Sequence, residues 1–562
     1  MPRGKSSKVT FKQYAQNQPF LLPPTFDELI PENHLVRLVN SAIDKMKIDS
    51  MLVAYAGGGA STYHPKMLLK VIVYGYTQRL YSCRSIAKAL RENIHFMWLS
   101  GSQHPDFRTI NRFRSSRLKE HIDQVFASLM ELLVEEGLVK LENYFLDGTK
   151  IEANANKYSF VWGKATRKFK ARLQEQIKEL LKQIDKSNED ENKQYGNKDF
   201  EEVSQEPISA EKLAEKVKEL DQRLAKSPED KELKKAVKKI KEDYLPRTEK
   251  YEQQEQILNG RNSYSKTDPD ATFMRMKEDH MKNGQLKPGY NLQAGTENQF
   301  ILAYSIHHNP TDTLTLAPHI DQMKRVLPKL PQNLVADSGY GSQQNYELLE
   351  KEKLTAYVKY NYFHFEKTKK FKDDNFRVDN LAYDKEKDQY ICPSGKVMKH
   401  IGTRKYVTEG NYKTTREIYQ AEGCSGCSLR DQCYKGIRDR KIQVSHELNA
   451  YKAKARELLE SETGKKMRSK RPVEIEAVFG QIKGNRYFRR FLLRGLEKVK
   501  AEFGIIAIAH NLKKWLAKKP NWHPHLFEVF APLIALLEAV VRQEQKIEDS
   551  LKVMFEINRR LI

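Results

Sequence analysis

One β-type run, Tyr144-Phe145-Leu146-Asp147-Gly148-Thr149-Lys150-Ile151, stands alone in this sequence, because strand signals resume only at Gly289–Ala294 and Phe300–Ile306. A solitary strand has no stability of its own, so it must pair with strands far along the chain. The intervening residues are then an insertion. From Lys164 to about Lys250 they are polar, with one narrow apolar stripe of Phe169, Leu173, Ile177, Leu180 and Ile184 and another of Leu213, Val217, Leu220 and Leu224. That spacing predicts helical hairpins, joined by an acidic loop over Ser187 to Pro207.

After the insertion the order is a hairpin of two strands turning at Gly295–Gln299, a helix Leu314–Val326, a strand Asn333–Ala336, a helix Gln344–Lys351 and a strand Thr355–Lys359. This order predicts an α/β sheet, antiparallel at one side and parallel at the other. Residues 1 to about 135 carry helical periodicity and little strand signal. Within them Ser82 is placed to cap a helix Cys83–Glu92, and Pro105-Asp106 to open a second helix bearing Thr109, Asn111, Arg112 and Arg114. The pair resembles a helix-turn-helix that reads DNA, although its connection, Asn93 to His104, is longer than that motif's turn. A plain packed helical bundle is the alternative.

A length of 562 residues excludes a single small module. No apolar run is long enough to span a membrane, since Ala531–Val541 contains Pro532 and Glu538. The start lacks an apolar signal segment and five cysteines cannot staple so long a chain, so a cytoplasmic protein is expected. A formal charge of +24 points to a polyanionic partner, with solvated lysine-rich helices as the alternative.

Two aspartates sit where charge is costly. Asp147 lies within the first apolar strand and Asp337 closes the strand Leu334-Val335-Ala336. Each needs a basic or backbone partner, or the two share a cation. Downstream, Arg471-Pro472-Val473-Glu474-Ile475-Glu476-Ala477-Val478-Phe479-Gly480-Gln481-Ile482-Lys483 reads as a helix opened by Pro472. Glu476 and Lys483 are nearly two turns apart and share a face, whereas Glu474 points away.

These three runs, Leu146–Lys157, Val335–Gly341 and Glu476–Lys483, resemble the signature regions of bacterial insertion-sequence transposases of the DDE class. Thr267-Asp268-Pro269-Asp270-Ala271 and Pro288-Gly289-Tyr290-Asn291 resemble that family too, and the order holds over roughly residues 15 to 515. The resemblance implies an RNase H-like core in which Asp147, Asp337 and Glu476 are the catalytic triad holding two magnesium ions, followed by a lysine, Lys483. It also implies a homodimer or higher assembly on DNA, both element ends and target, and hence association with the nucleoid. Related groups place a tyrosine and an arginine upstream of the glutamate; here the position four before Glu476 is Pro472, with Arg471 one place earlier. The residue types fit the chemistry independently, because hard divalent metals prefer carboxylate oxygens and a metal pair serves phosphodiester cleavage without a side-chain nucleophile.

Cys392, Cys424, Cys427 and Cys433 fall close together beside Pro393-Ser394-Gly395 and Gly426. Four thiolates suggest a structural zinc folding a region too polar to build its own core; unligated thiols are the alternative. Cys83 is expected to be a packed thiol. From Lys465 to Lys519 the chain is densely basic, and Tyr487, Phe488 and Phe491 interleave Arg486, Arg489, Arg490 and Arg494, a pattern suited to phosphate contact with stacking.

The expected organisation is thus a helical DNA-binding domain (1–135), a core in two parts (136–160 and 261–360) around a charged helical insertion (161–260), a cysteine-bearing insertion (361–465), a core helix with the third carboxylate and basic region (466–519), and C-terminal helices (520–562). The function expected is cleavage of mobile-element ends and their joining to target DNA. A catalytically silent DNA-binding descendant and an RNase H-fold nuclease without strand joining are the alternatives.

Overall fold

The computed structural model describes residues 24–53, 62–195, 207–276, 284–408 and 410–520. The expected C-terminal helices beyond residue 520, and most of the acidic loop, lie outside them. Through Glu135 the described chain is helical, including Leu35–Lys45, Pro65–Thr77, Cys83–Glu92, Phe107–Arg112 and Leu118–Glu135. The connection after Cys83–Glu92 is a further helix, Ile94–Ser100, so the pair is not a simple helix-turn-helix. Asn93 caps that helix, accepting from the His95 N–H at 3.0 Å, and Gly101 ends it at φ 56°.

Strand β1 (Asn143–Glu152) leads to a short β2 (Phe160–Trp162) that pairs with β3 (Ser263–Ser265) across the insertion. Next come β4 (Thr272–Arg275), β5 (Leu286–Glu297), β6 (Phe300–His307), β7 (Asn333–Ala336) and β8 (Thr355–Val358). The main sheet runs β4-β5-β1-β7-β8, with β6 also on β5. β5 is antiparallel to β1, β4 and β6, while β1, β7 and β8 are mutually parallel. The molecule is therefore mixed α/β with a helical N-terminal region and a sheet consistent with an RNase H-like core. The β5–β6 turn is tighter than the five residues expected: the strands continue to Glu297 and from Phe300, leaving Asn298 (φ 54°) and Gln299 (φ 64°) to reverse the chain. Glu297 is drawn into the strand because its carboxylate accepts the backbone N–H groups of Lys140 to Asn143 at 2.8–3.0 Å.

The last helix among the described residues, Leu496–Lys518, packs against β6 and the helices Pro65–Thr77 and Leu118–Glu135. Buried nearly all round, with Val499, Phe503, Ile506 and Leu512 among its core residues, it joins the N-terminal helices and the sheet in one hydrophobic core. The Thr267–Ala271 run has a role here: Asp268 accepts from the Gly495 N–H at 3.1 Å and Asp270 from the Leu496 N–H at 2.8 Å, satisfying the start of that helix.

The insertion has its own core. Gly163–Tyr195 and Ala210–Lys226 pack Leu173, Ile177, Leu213 and Val217 against Leu233, Val237 and Ile240 of a third helical stretch running to Leu258. Phe169, expected in the stripe, is exposed. A second sheet went unread in the sequence: β9 (Ala382–Asp384), β10 (Gln389–Ile391), β11 (Val397–Val407), β12 (Lys413–Ala421) and β13 (Lys441–Val444), antiparallel throughout. It buries Leu381, Tyr390, Met398, Tyr419, Ile442 and Val444, so this region does build a core of its own.

Pro472 does not open a helix. Glu462–Arg471 precedes it without a break, and the backbone continues as a π turn Pro472–Glu476, an α turn Ala477–Gly480 and a second π turn Gln481–Asn485. A residue with no N–H cannot serve the α ladder, and the wider i→i+5 pattern, Ala477 N–H to Pro472 C=O, carries the chain past it.

Candidate active site

The parallel register pairs Phe145 of β1 with Val335 of β7. Two residues further along each strand come Asp147 and Asp337, on the same face by the two-residue alternation. Asp147 is buried, and its Oδ1 accepts from the Gly148 N–H at 2.9 Å. Asp337 ends its strand with Oδ1 accepting from the Gly339 N–H at 2.9 Å. The π turn carrying Glu476 packs over β1 and β5.

The three carboxylates meet on one guanidinium. Arg471 Nη2 lies 2.9 Å from Asp147 Oδ1 and 3.6 Å from Asp337 Oδ2, and Nη1 lies 3.0 Å from Glu476 Oε1. Arg471 is five residues before Glu476, and an α-helix would splay residues at that spacing. The π turn between them holds one extra residue and returns both side chains to one face. That explains an arginine one place earlier than the resembled pattern. A cavity of about 560 Å³ opens here, lined by Asp147, Thr149, Asp337, Arg471, Glu476, Gly480, Lys483 and Arg489. Glu474 points elsewhere, its Oε2 accepting from the Gln299 N–H at 2.7 Å, and burial raises its carboxyl above the ordinary value.

Two family models match the chain. Residues 24–116 match a transposase domain (DUF772) and residues 391–516 a transposase DDE domain. The matches indicate an insertion-sequence DDE transposase. No curated protein matches. The DDE match contains Glu476, Lys483 and the four clustered cysteines, while Asp147 and Asp337 precede it.

Among the described residues no group of three or more His, Cys, Asp or Glu side chains is set to hold a metal ion. In the carboxylate cluster, the Arg471 guanidinium sits among the three acids. That cation shows the cluster to be a site for positive charge, and its oxygen donors suit a hard divalent ion. The thiols behave similarly. Cys392, Cys424, Cys427 and Cys433 line one cavity of about 30 Å³, where Arg440 Nη1 donates to Cys433 Sγ at 3.0 Å. Burial pushes the Cys392 thiol up, but hydrogen bonds from Ser394 and the Lys396 backbone outweigh it and bring the thiol below its ordinary value. Cys83 is buried, as expected of a packed thiol.

The basic segment is built onto β1. The backbone of Arg490 forms a parallel β-bridge with that of Glu152, the Phe491 N–H donates to the Glu152 C=O at 2.9 Å, and Arg494 Nε reaches the Asn154 C=O at 2.7 Å. Arg489, Arg490 and Arg494 are exposed, and Lys483 Nζ donates to the Lys150 C=O at 2.8 Å. Arg486 differs from expectation: it is 8% exposed, with burial lowering its pKa, and Tyr81 OH donates to its C=O at 2.9 Å. Phe488 and Phe491 are buried too, packing edge-on against Tyr81 and Tyr290, so only Tyr487, 69% exposed, presents a ring. In the N-terminal region Asn111 and Arg112 are exposed and Thr109 is half-buried. Asn111 and Arg112 line a cavity of about 520 Å³ with Arg84, Arg108 and, from the basic segment, Leu492. Arg114 is instead buried, donating to Tyr76 OH at 2.8 Å and Tyr81 C=O at 2.9 Å.

Sequence reasoning missed two neighbours of the site. Lys359, just past β8, has its pKa lowered by burial and then by Arg471. Asp312 stands behind Gly148 and Gly339. Neither lies in a run with a distinguishing pattern.

Proposed function

We propose that the protein cleaves the ends of its mobile element and joins them to target DNA, with Asp147, Asp337 and Glu476 holding two magnesium ions. The observation that carries this reading is the convergence of three carboxylates from distant segments on one cation, in a cavity also lined by Lys483 and Arg489. When bound, the metal pair supplies Lewis acidity to the scissile phosphodiester and to the attacking water or 3′-hydroxyl.

The chain's own groups do the rest. Arg471 neutralises the carboxylates until metal arrives, and its guanidinium is then free for a DNA phosphate. Arg489 and Lys483 sit on the cavity wall to hold the backbone, while Arg490 and Arg494 extend that track. Asn111 and Arg112 read element-end sequence, and the helices before Glu135 form the DNA-binding unit. Cys392, Cys424, Cys427 and Cys433 bind a structural zinc. The active assembly is a homodimer or larger on paired ends.

An assay with labelled element ends, target plasmid and magnesium tests the reading. Joined products support it. Cutting without joining favours a nuclease, and binding without cutting favours a silent DNA-binding descendant.

A further inference from the structure

Behind the two aspartates lies a fourth carboxylate, Asp312, between β6 and the helix Leu316–Val326. Its Oδ1 accepts from Asn291 Nδ2 and Gln293 Nε2 of β5, both at 2.8 Å. Gln293 faces Gly148 across the β1–β5 register. A Cβ on Gly148 would lie 2.5 Å from Asp312 Oδ1 and 2.6 Å from Gln293 Nε2, so the glycine makes room for their contact. On the other side, a Cβ on Gly339 would rest 3.6 Å from Asp312. One carboxylate is thus wedged between the two glycines whose N–H groups aim Asp147 and Asp337.

The wedge is tied in place. Gln293 Oε1 accepts from Tyr340 OH, whose pKa is held well above the ordinary value by burial and then by Asp312, Asp147 and Asp337. Thr313 Oγ1 donates to the Gly339 C=O at 3.1 Å, and Asn345 Nδ2 donates to the C=O groups of Thr313 (3.0 Å) and Tyr340 (2.9 Å). Asp312 does not line the cavity where the three acids meet.

We infer that Asp312 is a positioning residue that sets the backbone of both metal-site aspartates through Gly148 and Gly339. It acts through Oδ1 as an acceptor and not as a ligand. The metal readout rests on the proposed function; the backbone readout does not.

The test measures hydrogen exchange and Mn²⁺ binding by spin resonance, without DNA, on the full chain and on Asp312→Ala, Asp312→Asn and Gly148→Ala. Loss of such a supporting group costs about 10- to 100-fold in metal affinity. Asp312→Ala should show that loss, with faster exchange confined to peptides spanning 147–149 and 337–341. Asp312→Asn keeps the acceptor and the shape, so it should recover most of both, and Gly148→Ala should resemble Asp312→Ala. Unchanged exchange in Asp312→Ala would overturn the inference. So would Asp312→Asn losing as much Mn²⁺ affinity as Asp312→Ala, since the charge itself would then be ligating. If the wild-type chain binds no Mn²⁺ while exchange responds as described, the metal reading fails and the positioning role stands.

Discussion

Glu474 and Glu476, two residues apart, meet opposite surroundings. Glu476 is half exposed and pairs with the guanidinium that also holds Asp147 and Asp337, whereas Glu474 is tucked under the β5–β6 turn. Glu476→Gln should therefore cut single-turnover cleavage of labelled ends on the order of a thousandfold or more, with DNA affinity in a gel-shift assay nearly intact. Glu474→Gln should retain most activity. Its amide oxygen can still accept from Gln299, and a carboxyl whose folded pKa is raised contributes stability only at low pH and loses it as pH rises, so removing the charge should not lower the melting temperature at pH 7.5. Cleavage by Glu476→Gln at wild-type rate, with Glu474→Gln dead, would reverse the assignment. Arg471 makes a separate prediction. A guanidinium filling the shared centre competes with a metal for the same oxygens, so Arg471→Gln should bind Mn²⁺ more tightly in titrations without DNA while cleaving more slowly. Weaker Mn²⁺ binding would show that Arg471 organises the cluster instead of occupying it.

Elements were legible where apolar spacing was regular. The apolar run Leu334-Val335-Ala336 and two helical stripes, one with Leu173 and Ile177 and the other with Leu213 and Val217, carry their signal in the residues themselves, and these strands and helices form. Two features had no such signal. The π turn at Pro472 arises from a missing N–H inside a continuous helix, and nothing in the hydrophobic pattern distinguishes that from a helix start. The second sheet is mostly polar along β11, with exposed residues on both faces, so its period is masked until Met398, Tyr419 and Ile442 are brought together. The site was legible as acidic residues in costly places; the role of Arg471 and the wedge of Asp312 were not, because each depends on chain segments far apart in sequence. The small core beneath β9–β13 also changes what zinc is expected to do. Protein purified without chelator should carry about one zinc by elemental analysis, and stripping it should speed proteolysis around 392–396 and 424–433 while leaving the sheet folded. Absence of zinc would end this idea, and collapse of the sheet on stripping would show that its core is too small to stand alone.

At the scale of the whole molecule, one continuous core links the N-terminal helices to the sheet through Leu496–Lys518, so the surface bearing Asn111 and Arg112 is held at a fixed distance from Asp147. No helix among the described residues is long and apolar enough to cross a membrane, and the formal charge of the chain is +24. Arg490 and Arg494 donate to the Ala153 and Asn154 carbonyls just past β1, and Arg489 to the Lys483 carbonyl in the π turn Gln481–Asn485, which fixes their positions while leaving charge exposed. If these arginines form the DNA track proposed above, binding is driven mainly by counterion release, and each phosphate neutralised contributes about 0.9 to the slope of log affinity against log salt. Affinity for element-end DNA should therefore fall steeply between 50 and 200 mM salt, by about 10³-fold if six phosphates are held. Arg489→Ala with Arg490→Ala should lower affinity for every sequence alike and flatten the slope by nearly two, because both changes remove phosphate contacts. Asn111→Ala or Arg112→Ala should instead change the preference between element-end and unrelated DNA, since base contacts carry the sequence information. Fluorescence anisotropy across a salt series measures both. A slope unchanged by the double arginine substitution would place the phosphate track elsewhere on the surface, and equal losses on both DNAs from the Asn111 and Arg112 changes would reduce those helices to backbone contacts.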